Sequence, residues 1–138
     1  MLQAMVAAAE RVFEFLEQPE EIETAKGEID TSKIKGNVEF KHVNFGYDED
    51  KTIINDFSAN IKEGQKIAIV GPTGAGKTTM VKLLMRFYDV NSGEINIDGH
   101  NIKDFKRGEL RKMFGMVLQD TWLFGGTVKE NIKYGNEE

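Results

Sequence analysis

The sequence predicts an α/β fold, and three adjoining segments carry that reading. Lys66-Ile67-Ala68-Ile69-Val70 is a short apolar run of the kind that forms a buried strand. Gly71-Pro72-Thr73-Gly74-Ala75-Gly76-Lys77-Thr78-Thr79 follows it directly as a glycine-rich loop. Residues 78–87 then place Met80, Leu83, Leu84 and Phe87 at helical spacing.

Strand, loop and helix in this order make a device for holding phosphate. The loop fits the pattern of Gly, four residues, Gly, Lys and then Ser or Thr. Its glycines let the backbone come close to an anion and take conformations that other residues avoid. Successive N–H groups then point into a nest at the positive end of the helix. Lys77 would reach the terminal phosphates, and the Thr78 hydroxyl would sit on a magnesium ion. The plainer alternative is a glycine-rich turn without a ligand.

Composition narrows the class. With 138 residues, 40% hydrophobic and 30% charged, the chain suffices for one globular domain with one core. A net charge of −5 and the lack of a Lys/Arg cluster argue against a nucleic-acid partner. The absence of cysteine excludes disulfides, thiolate zinc sites and cysteine nucleophiles. The two histidines, His42 and His100, make no metal-ligand spacing. No apolar run approaches the ~18 residues that span a bilayer, and the first residues lack a signal-peptide pattern.

The remaining elements follow in chain order. Residues 1–17 read as an amphipathic helix with Leu2, Met5, Val6, Ala9, Val12, Phe13 and Leu16 on one face, ended by Pro19 and Glu20-Glu21. That face either packs on the domain's own core or is meant for a neighbour outside this sequence. Residues 21–36 read as a polar linker with little to pack. Val38 and Phe40, then Val43 and Phe45, alternate as a half-buried strand with a bulge between the pairs. A second strand covers 53–61, so a small antiparallel sheet is expected beside the phosphate loop. A short strand at 94–97 precedes the tight turn Asp98-Gly99. Asp104 is a candidate cap for a helix over 105–112, which Gly108 weakens. Residues 116–118 read as another strand, and Thr127 as the cap of a helix over 128–133.

At this point the motifs resemble one family. Val43-Asn44-Phe45-Gly46-Tyr47 is similar to the A-loop of the nucleotide-binding domain of exporter-type ATP-binding cassette (ABC) transporters, and residues 71–79 match that family's Walker A loop. Residues 93–99 resemble the strand and turn after its first helix. Leu110-Arg111 with Gly115-Met116-Val117-Leu118-Gln119-Asp120 resembles its Q-loop region. Leu123-Phe124 with residues 126–132 resembles the segment that lies near the transmembrane domain. Residues 9–16 resemble the cytoplasmic end of the last transmembrane helix.

The resemblance implies a partial P-loop NTPase core with an antiparallel β subdomain, preceded by the amphipathic N-terminal helix. It divides the chain into the end of a transmembrane-domain helix at 1–18, a linker at 19–36 and the N-terminal part of the nucleotide-binding domain at 37–138. It implies ATP and Mg2+ as cofactors. Tyr47 would stack on adenine, or else pack on the sheet as a strand-end aromatic. Backbone N–H groups of residues 74–78 would hold the phosphates, with Thr79 on an α-phosphate. Gly71, Pro72, Thr73, Gly74, Ala75, Gly76, Lys77, Thr78 and Thr79 thus form the binding loop. Gln119 would reach magnesium and the attacking water, or else be an ordinary strand-end glutamine. Lys77 and Gln119 are the catalytic candidates, and Thr78 and Gln119 the metal ligands.

The implied partners are the transmembrane domain of the same transporter and a second nucleotide-binding domain, at the cytoplasmic face of the membrane. Trp122 and Phe124 are a candidate contact patch or part of the domain's own core. The family's Leu-Ser-Gly-Gly-Gln signature, its Walker B Asp and catalytic Glu, its D-loop and its switch histidine have no counterpart in these residues. The expectation is therefore Mg-ATP binding with negligible turnover. Residues 67–70 are expected to lack ladder partners, leaving the isolated chain marginal, swapped or aggregation-prone. Two rival readings stand beside this one: a complete small phosphate-loop kinase, and a non-catalytic interaction or scaffold fragment.

Overall fold

In the computed structural model, residues 2–25, 29–48, 50–117, 120 and 122–135 are described, with side chains from residue 5 onward. Strands β1 (Val38–Phe45), β2 (Ile54–Ile61), β3 (Ser92–Ile97) and β4 (His100–Asn101) form one sheet in the order β2-β1-β3-β4. Every pairing is antiparallel. Helices α1 (Leu2–Leu16), α2 (Lys77–Leu84), α3 (Arg107–Lys112) and α4 (Val128–Lys133) complete the architecture.

The sequence of β1 explains its shape. Phe40, Val43 and Phe45 are all buried, yet a strict alternation would put Phe40 and Val43 on opposite faces. The register slips between Phe40 and Val43 against β2, and between Lys41 and Asn44 against β3. This is the bulge expected from the two offset apolar pairs, and it returns Val43 and Phe45 to the core face. His42 takes the turn with φ 49. Gly93 crosses so close that a Cβ there would lie 2.2 Å from the His42 carbonyl oxygen. The buried face of the sheet packs with Met80 and Leu83 of α2, Leu110 of α3, and Phe105 from the preceding loop.

Several expectations are corrected. Residues 66–70 have the apolar composition of a strand but form no ladder, and Val70 is 87% exposed. A strand exists only with a neighbour, and the described residues supply none, as the expected loss of partners anticipated. Residues 116–117 are likewise irregular, with Val117 89% exposed, while Leu118 lies outside the described residues. α2 ends at Leu84 rather than Phe87 because Arg86 turns left-handed at φ 54. Asp104 does not cap α3; it belongs to a 3-10 turn, Ile102–Asp104, whose cap is Asn101, and Lys106 occupies the α3 N-cap. Thr127 does cap α4, through a reciprocal capping box with Glu130.

The N-terminal segments depart in opposite directions. Met5, Phe13 and Leu16 of α1 are exposed, so this helix does not pack on the domain's core. The 21–25 stretch, expected to have little to pack, is instead tied to the domain. Glu21 pairs with Arg111 at 3.1 Å, and the Glu23 carboxylate accepts the Arg107 backbone N–H at 3.1 Å. Thr24 accepts a hydrogen bond from Arg86 and donates one to the Lys103 carbonyl.

Candidate functional site

The loop at 71–79 joins the irregular 66–70 stretch to α2. Gly74 and Gly76 both take positive φ, 85 and 79. A Cβ on Gly76 would also meet Ile53 Cγ2 at 3.0 Å, so glycine serves there twice, in conformation and in space. Ala75 N–H donates to the Pro72 carbonyl, closing the turn. The N–H groups of Gly74, Gly76, Lys77 and Thr78 meet no acceptor among the described residues. Four donors at the start of an eight-residue helix are what a polyanion needs.

Lys77 belongs to the same cradle. Its Nζ donates to the carbonyls of Gly71 at 2.7 Å and Pro72 at 2.8 Å. The loop is wrapped around its own cation. Pro72 and Thr73 are exposed, as is Thr78. Thr79 is buried at 6% exposure, and its Oγ1 lies 3.2 Å from the Tyr47 hydroxyl.

Tyr47 stands just past β1. Its ring meets Phe45 edge-on at 5.1 Å and Tyr88 at 5.0 Å, with interplanar angles of 84° and 80°. Nearly half of Tyr47 stays exposed. The fold therefore sets a half-exposed ring beside the helix whose first turn carries the anion donors. Tyr88 is not among the sequence candidates. Contacts between distant segments leave no local periodicity, so only its aromatic character marks it.

The ligand chemistry divides unevenly. The free N–H groups and Lys77 fit a nucleotide's phosphates. For magnesium, the described residues contribute the Thr78 hydroxyl, and no cluster of three His, Asp or Glu exists among them. The residues present thus fit an ion that the phosphates themselves largely coordinate. Gln119, the other predicted ligand, lies outside the described residues. Asp120 lines an open cleft of about 790 Å³ with Lys77, Thr78, Ile67, Met116 and Val117. Trp122 and Phe124 are exposed, so they form no part of the core among the described residues.

Comparison with known proteins finds relatives along the chain. The ABC transporter family model matches residues 54–138. A fatty acid ABC transporter ATP-binding/permease protein of Mycobacterium tuberculosis (strain CDC 1551 / Oshkosh) is 53% identical over 137 residues, covering 99% of this chain and 21% of that protein. An ATP-dependent lipid A-core flippase of Coxiella burnetii (strain RSA 493 / Nine Mile phase I) is 46% identical over 135 residues, covering 97% of this chain and 23% of its own length. A solved structure of a bacterial Atm1-family ABC exporter with ATP bound superposes with a TM-score of 0.75 and 37% identity, over 99% of this chain and 24% of that one. The chain thus spans between a fifth and a quarter of these relatives. No helix among the described residues is long and apolar enough to cross a membrane. The family match replaces the kinase reading: this chain belongs to the ABC transporter family.

Proposed function

We propose that the chain is the ATP-clamping part of an ABC exporter's nucleotide-binding domain, working within a longer protein at the cytoplasmic face of a membrane. Residues 37–138 hold the nucleotide, residues 19–36 are the linker, and residues 1–18 continue a helix of the transmembrane domain. The exposed apolar side of α1 supports that last assignment. In the whole protein, ATP binding and hydrolysis would drive export, with a second nucleotide-binding domain as the partner across the nucleotide.

One observation carries the reading: the N–H groups of Gly74, Gly76, Lys77 and Thr78, which meet no acceptor among the described residues, and the Lys77 ammonium converge at the start of α2. When phosphate enters, Lys77 exchanges the Gly71 and Pro72 carbonyls for phosphate oxygens. Thr78 would offer its hydroxyl to a magnesium ion that the phosphates carry, and Thr79 would lie beside the α-phosphate. Tyr47 presents its free surface to the base. Gln119 is assigned to magnesium and the attacking water. Relatives named for fatty acid and for lipid A-core keep 53% and 46% identity across these residues. The segment therefore serves the nucleotide, and cargo selection belongs to other parts of the protein.

Calorimetric titration of ATP, with and without magnesium, tests the proposal. The wild-type chain should saturate and Lys77→Ala should not. Tyr47→Ala should bind about tenfold more weakly, since base stacking contributes roughly 1–3 kcal/mol. Equal binding by Lys77→Ala and wild type sinks the reading.

A further inference from the structure

The aromatic beside the cradle has its own support. Tyr47 follows the end of β1 and is 46% exposed, a position where a lone ring would sample several rotamers. Three contacts restrict it: Phe45 at 5.1 Å, Tyr88 at 5.0 Å, and the Thr79 hydroxyl at 3.2 Å. Phe45 is the core residue that ends β1. Thr79 and Tyr88 both come from α2 or its immediate continuation, one in its first turn and one just past its end. Tyr88 also touches Phe45 at 5.8 Å, closing a triangle of rings, and the Lys82 ammonium lies 5.9 Å from its centroid. The helix that presents the phosphate donors and the turn that follows it therefore grip the ring between them.

We propose that Tyr88 is a positioning residue for nucleotide binding, holding the Tyr47 ring at a fixed offset from the phosphate cradle so that base and phosphates are met together. This rests on the ATP-binding reading above and deepens it. Tyr88 touches Tyr47 through its ring, and its hydroxyl makes no hydrogen bond among the described residues. Phenylalanine should therefore replace it, and an aliphatic side chain should not.

The experiment compares ATP with inorganic triphosphate, which has no base, on the full chain. Tyr88→Leu should weaken ATP about three- to tenfold, the range of an aromatic pair. It should leave triphosphate affinity unchanged, and Tyr88→Phe should bind both ligands like wild type. ATP affinity unchanged in Tyr88→Leu, while Lys77→Ala still loses it, overturns the positioning role and leaves the ATP reading standing. Equal loss of ATP and triphosphate in Tyr88→Leu marks a merely structural residue and also overturns it. Failure of wild type to bind either ligand overturns both readings together.

Discussion

The guanidinium of Arg86 reaches the hydroxyl of Thr24 at 2.7 Å, across 62 positions of sequence. Arg86 is fully buried, in a left-handed turn just past α2, and its Nε donates to Asp89 at 2.9 Å. Burial alone would raise the Asp89 pKa, but the hydrogen bond and charge of Arg86, with Arg107 behind it, hold the carboxyl below its usual range. A buried cation thus joins the N-terminal segment to the end of α2.

Removing that cation should be costly. Arg86→Leu is expected to lower unfolding free energy by about 2–4 kcal/mol, through lost partners and a poorly filled site. Thr24→Val should cost about 1 kcal/mol and expose residues 20–25 to protease. Urea denaturation and limited proteolysis read both effects. Wild-type cleavage rates in Thr24→Val would show that the segment is held by something else.

Acid sensitivity should be traceable to Asp98. Its carboxylate accepts hydrogen bonds from the Asn37 side chain and from the backbone of Lys35, Gly36 and Asn37. These bonds, led by the Asn37 amide, lower its pKa from 3.8 to about 2. A depressed pKa stabilises the fold above 3.8, and that contribution fades as pH falls through about 2. Asp98→Asn should therefore be less stable than wild type at neutral pH, with the difference shrinking across that acid window. A gap that stays constant from neutral to strongly acid conditions would contradict the assignment.

The open cleft should make the chain self-associate. Ile67, Ile69, Met116 and Val117 line it, and each is exposed. Val117→Lys should reduce concentration-dependent association in analytical ultracentrifugation while leaving the melting of the sheet unchanged. Surface substitutions of this kind usually alter stability by about 0.5 kcal/mol or less. Identical association of wild type and variant would locate the sticky surface elsewhere.

Turnover should be negligible. Hydrolysis needs a placed water and a metal held from two sides, and no acidic cluster of three exists among the described residues. Steady-state phosphate release by this chain should match the Lys77→Ala background. Release well above it would require a general base in these residues.

The sequence made local features plain and long-range ones invisible. The bulge in β1 followed from two apolar pairs out of phase, and the start of α4 from Thr127 as its cap. The glycine-rich loop showed where the donors would converge. Residues 66–70 show the limit of such reasoning: their composition describes a buried strand, but burial depends on neighbours that composition does not contain. Asp104 failed as a cap because Asn101 closes an earlier turn. The grip of Arg86 on Thr24 and the Tyr47–Tyr88 contact arise from topology, which no short window encodes. Gln119 and Leu118 lie outside the described residues.

Helix α2 has eight residues, so it is a strut about 12 Å long. One extremity carries the glycine-rich loop; just beyond the other, Arg86 is fastened to the N-terminal segment. Tension along residues 20–25 would therefore arrive at the glycine-rich loop through a single stiff rod, bypassing the sheet.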